Sequence, residues 1–66
     1  MSDARGMVTI SVDVIRVTDK AVQVNDRGVE VWIPYSQIED VVGNLFPGNK
    51  IKLTLPIWLA EAKDLL

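Results

Sequence analysis

The side chains able to take part in chemistry here are carboxylates, amines, guanidinium groups, hydroxyls, one phenol and two indoles; histidine and cysteine are absent. A Ser-His or Cys-His nucleophile pair therefore cannot be built, and the usual nitrogen and sulfur ligands of transition metals are missing. An enzyme would have to work with carboxylates, Lys, Tyr or a hard metal ion. The acids Asp13, Asp19, Asp26, Glu30, Glu39, Asp40, Glu61 and Asp64 are scattered along the chain. Glu39 and Asp40 are neighbours, and on a helix such side chains point about 100° apart, which does not make a dyad. No D-x-D-x-D-G calcium loop is present. We expect no catalysis, no cofactor and no metal, with the acids serving as caps and solvated charges, because acid, base and orienting groups must converge and these do not.

Binding chemistry has better candidates. In Val29-Glu30-Val31-Trp32-Ile33 the aliphatic residues alternate with Glu30 and Trp32, so strand parity sends Val29, Val31 and Ile33 to a core and Trp32 to the opposite, wet face. A large aromatic ring on a wet face suggests a partner. Tyr35 either extends that patch or packs as a staple residue before Ser36. Lys50 and Lys52 share one strand face, and Arg16, Lys20 and Arg27 fall at strand ends or turns. If Arg16, Lys20, Lys50 and Lys52 met around Trp32 and Tyr35, they would form a positive groove with stacking platforms, suited to a nucleotide or to single-stranded nucleic acid. The alternative is an edge strand protected from aggregation by lysines.

The elements that must position these residues are legible as alternation broken by turns. Residues 1–6 read as a flexible lead-in and 7–66 as a single small domain. Val8, Ile10, Val12 and Val14 alternate with polar residues; the apolar parity then slips at Val14/Ile15, which asks for a bulge or bend. After the break at Thr18-Asp19-Lys20, Val22 and Val24 mark a second strand, and Asn25-Asp26-Arg27-Gly28 supplies the turn of a hairpin. Ser36 and Glu39 form a capping-box pattern, and Ile38, Val41 and Val42 recur at helical spacing before Gly43-Asn44, predicting about two helical turns. Pro47-Gly48 suits a type II turn, with Phe46 folded back on the core. Ile51, Leu53 and Leu55 alternate in a last strand, and Pro56 opens a final helix, 57–66, with a stripe of Trp58, Ala62 and Leu65 or of Leu59, Ala62 and Leu66.

The predicted fold is mainly β: a small SH3-like or partly open antiparallel barrel of four to five strands, with one short helical turn and a C-terminal helix. A two-layer α+β sandwich is the alternative. Sixty-six residues without disulfides leave a tight balance between core and chain entropy, which self-association would relieve. The net charge of −2 argues mildly against gripping phosphate backbones as a main task. No apolar run approaches the roughly 20 residues of a bilayer span, and the amino terminus lacks a secretion-signal pattern, so a soluble cytoplasmic protein is expected.

Asp19-Lys20-Ala21-Val22-Gln23-Val24, Val29-Glu30-Val31-Trp32-Ile33-Pro34, Ser36-Gln37-Ile38 and Leu55-Pro56-Ile57-Trp58-Leu59-Ala60 together resemble small phage and prophage proteins of unassigned function with a D-K-A-V-x-V, V-W-I-P-x-S-Q-I and P-x-W-L-A pattern. The resemblance implies a phage or mobile-element origin and work in a bacterial host cytoplasm. The combined expectation is a non-enzymatic, self-associating binding module that recognises a host protein or sequesters a small nucleotide-like ligand, with a single-stranded nucleic-acid binder as the alternative. Its candidate binding residues are Trp32, Tyr35, Lys50, Lys52, Arg16 and Lys20.

Overall fold

The computed structural model describes residues 6–66; most of the lead-in read from the sequence, residues 1–5, lies outside them. Gly6 already belongs to the fold, since its carbonyl accepts a hydrogen bond of 2.9 Å from the Ile57 N–H. Five antiparallel strands form one sheet: β1 (Met7–Val17), β2 (Ala21–Asp26), β3 (Val29–Pro34), β4 (Asp40–Val42) and β5 (Lys50–Pro56). Their order is β3-β2-β1-β5-β4, and no pairing joins β3 to β4 among the described residues, so the sheet stays open. One short helix, α1 (Ile57–Ala62), follows.

Strand β1 is the axis. Met7 to Asp13 pairs with β5, while Asp13 to Val17 pairs with β2, so two half-sheets share one strand. The predicted parity slip is a bulge at Ile15, where the ladder jumps from Val14↔Val24 to Arg16↔Gln23. The extra residue lets Val12 and Val14 before it and Val17 after it face the same side, as a bulge should. Here the Pro47-Gly48 turn also docks: the Gly48 N–H donates to the Val14 carbonyl at 2.7 Å, and the Val14 N–H donates to the Asn49 carbonyl at 2.8 Å. The Asn49 N–H bond to the Phe46 carbonyl and the positive φ of Gly48, 87°, give the type II geometry expected of Pro-Gly.

The core contains Val12 and Val14 from β1, Val22 and Val24 from β2, Ile33 from β3, Ile51, Leu53 and Leu55 from β5, and Leu59, Ala60 and Leu65 from the C-terminal segment. Every strand residue in that set lies on the face that alternation assigned to the interior, and none of the described buried residues is polar or charged. Such a core stabilises by about 1.5–3 kcal/mol per fully buried aliphatic side chain before conformational entropy is counted.

The structure corrects three expectations. The segment read as a two-turn helix is a 3-10 turn, Tyr35–Gln37, followed by β4; its N-cap residue is Pro34, and no side-chain cap bond forms. Pairing with β5 wins because three apolar residues carry little helical stabilisation, whereas the edge of β5 offers a ladder that begins where the Glu39 N–H meets the Thr54 carbonyl at 2.7 Å. Phe46 does not fold back but is 64% exposed, and its neighbour Leu45 packs on the core instead. The final helix stops at Ala62: Asp64 takes φ 59°, its N–H bonds to the Glu61 carbonyl, and the Leu65 N–H bonds to the Ala60 carbonyl at 2.8 Å. This Schellman closure turns Leu65 into the core while Trp58, Ala62 and Leu66 remain exposed, so neither predicted stripe is the buried one.

Candidate functional site: the outer sheet face

Directly paired residues in a sheet share a face, so the ladders specify what lies opposite the core. Across the hairpin half runs the row Trp32, Gln23, Arg16, and beside it Glu30, Asn25, Asp13, Lys50. Across the other half run Ser11, Lys52, Val42 and then Thr9, Thr54, Asp40. The hydroxyls of Thr9 and Thr54 are 2.8 Å apart, tying β1 to β5 on the wet side.

Trp32 stands on this outer face and is 41% exposed, as parity requires. Its position follows from the hairpin turn. Arg27 and Gly28, at φ 52° and 91°, form the two-residue loop, and Asp26↔Val29 sets a register that carries Trp32 opposite Gln23 and Ile33 opposite Val22. Both loop residues have the positive φ of a type I′ turn, whose twist matches the flanking strands.

The six candidate binding residues do not form one cluster. Arg16 shares the Trp32 row, two strands away, or roughly 10 Å at ordinary strand spacing. Tyr35 follows β3 directly, and its N–H donates to the Lys20 carbonyl at 2.9 Å, so the backbones of Tyr35 and Lys20 meet at the same end of the hairpin. The Tyr35 side chain is half-buried and packs on the core, so it is not a second exposed platform; with Pro34 at the N-cap and Tyr35 inside the 3-10 turn, it is not a staple residue before Ser36 either. Lys50 and Lys52 share a face on β5, as expected, but that strand is three removed from β3, roughly 14 Å in sheet spacing. Lys50 also lies 3.7 Å from the Asp13 carboxylate in an exposed ion pair worth at most about 1 kcal/mol.

A shallow depression of about 370 Å³, which no sequence motif marks, is lined by Ser11, Val42, Gly43, Lys50, Ile51 and Lys52. Its far wall is β4 and the residue after it, the segment read as helix, so no signal along the chain could have placed that wall. Gly43 has φ 111°, and a Cβ there would stand 3.0 Å from the Ile51 Cγ2; a side chain at this position would strain the backbone and crowd the depression's wall. Among the described residues, no group of three or more acids is placed to hold a metal ion. No helix of the described residues is long and apolar enough to cross a membrane.

Compared with known proteins, the chain matches no family model, no curated protein and no solved structure.

Proposed function

We propose that this chain is a non-enzymatic, self-associating binding module whose outer sheet face, centred on Trp32, docks a partner protein. The observation that carries the reading is the partly exposed indole on a regular strand, in line with Gln23 and Arg16 and beside Glu30. Aromatic and arginine side chains are enriched at protein contact surfaces, and a rigid strand presents them at low entropic cost. The mixed charge of the surroundings suits a protein better than a phosphate backbone. The resemblance of the sequence to phage proteins supports a bacterial host cytoplasm as the setting and a host protein as the partner.

A second reading is supported by the depression on the other half-sheet. Two lysines and a serine line it beside Val42, Gly43 and Ile51, and the two ammonium groups next to that apolar wall suit a small anionic ligand of the nucleotide class. A single strand of nucleic acid stacking on Trp32 and reaching Lys52 across the face is the wider form of that reading.

Native mass spectrometry of the protein purified from producing bacterial cells, with Trp32→Ala alongside, tests these readings. A retained protein partner that is lost in Trp32→Ala, with the fold intact, supports the module. Retention of that partner by Trp32→Ala contradicts it. A bound small anion lost only in Lys50→Ala and Lys52→Ala selects the second reading. Binding of labelled oligonucleotides that falls steeply with salt selects its nucleic-acid form.

A further inference from the structure

We infer that self-association runs through the free edge of β3, which pairs antiparallel with β3 of a second copy about a two-fold axis centred on Val31. The inference deepens the self-associating reading above and rests on it.

The hairpin register decides which backbone groups are available. A two-residue loop makes Asp26 and Val29 a hydrogen-bonded pair, and alternation makes Val24–Val31 and Val22–Ile33 bonded pairs as well. The Tyr35 N–H bond to the Lys20 carbonyl continues the same parity. Glu30 and Trp32 therefore turn both their N–H and C=O groups away from β2, and no described backbone group meets them there. Pro34 shares that parity but has no N–H to give.

The edge is lightly protected: it has no lysine and no bulge, and its guards are the single charge of Glu30 and the terminal Pro34. The opposite edge of the sheet, β4, is only three residues long.

One register makes the β3 edge self-complementary. With Val31 opposite Val31 of the second copy, Glu30 opposes Trp32 at both ends, and the two residues exchange both hydrogen bonds each time. Four bonds form, and no like charges stand opposite. Moving the axis to Glu30 sets carboxylate against carboxylate, and moving it to Trp32 sets Glu30 against the donor-less Pro34. In the favoured register Val29 meets Ile33 on the core side, and Gly28, which has open space around it, meets Pro34. The half-buried Val29 and Val31 become covered, and the two Trp32 rings lie diagonally across one continuous outer face.

Sedimentation analysis of the whole chain together with three variants tests the proposal. Glu30→Pro removes an outward donor and leaves the β2 ladder intact, so the dimer dissociation constant is expected to rise at least about tenfold. Val31→Cys is the second variant, in a chain with no other cysteine. A non-hydrogen-bonded antiparallel pair sets its Cα atoms about 4.5 Å apart, within disulfide reach, so mild oxidation is expected to cross-link it, whereas Ile33→Cys does not cross-link. A wild-type species that stays at 7.3 kDa at all concentrations overturns both the edge pairing and the self-associating reading. An oligomer unaffected by Glu30→Pro and not trapped by Val31→Cys overturns the edge alone. If Glu30→Pro fails to fold, the cross-link decides.

Discussion

The two half-sheets that share β1 are built by different means. The hairpin half, β2 and β3 on the far part of β1, is specified locally: a two-residue turn, strict alternation and a register that follows from both. The other half, β5 and β4 on the near part of β1, depends on the pairing of β1 with β5, segments distant in sequence, such as Thr9 with Thr54. Local specification leaves β3 as a full-length strand with an open edge, whereas non-local specification ends the sheet in a three-residue strand. The difference marks where, among the described residues, a long backbone edge stays unpaired: along β3, which has β2 as its single neighbour in the sheet.

The largest expected effect tests whether the halves are one cooperative unit. Ile33→Ala in the hairpin half and Leu53→Ala in the other should each cost about 2–5 kcal/mol, since both side chains are fully buried in the same cluster. Chemical denaturation should show a single transition for each variant. Separate transitions would mean that the two halves unfold independently of each other. Gly43→Ala comes next, at about 1–3 kcal/mol, because it combines a positive φ with the 3.0 Å approach to Ile51; the loss should be read by thermal unfolding and should open the β4 side alone in hydrogen exchange. The smallest effect has the opposite sign. Asp64→Gly relieves the left-handed residue of the helix stop and should stabilise by about 0.5–1 kcal/mol in the same assay; a loss would mean that the carboxylate contributes something beyond geometry.

The difference between the halves also explains what could be read from the sequence. Alternation located β1, β2, β3 and β5, and the parity slip at Ile15 announced the bulge, because each is a property of residues within a few positions of one another. The stretch from Ser36 to Val42 was misleading for the converse reason. Ile38 and Val41 satisfy a helical spacing, but they also satisfy a turn followed by a strand, and only the distant β5 edge chooses between them. Leu65 was one of two alternatives, in a stripe with Trp58 and Ala62; it is buried together with Leu59 of the other stripe, because the helix ends at Ala62 and the chain turns Leu65 inward by a different path. The outward placement of Trp32 followed from parity. The separation of Lys50 and Lys52 from Trp32 did not, because strand order is not written in any single strand.

Amide hydrogen exchange at Glu30 and Trp32, followed by NMR as the protein is diluted, reads the pairing of the β3 edge residue by residue. If the edges pair, these two amides are protected at high concentration and exchange as open amides on dilution, while Val31 and Ile33, bonded to β2, stay protected throughout. Glu30 and Trp32 amides that exchange freely at every concentration would contradict it.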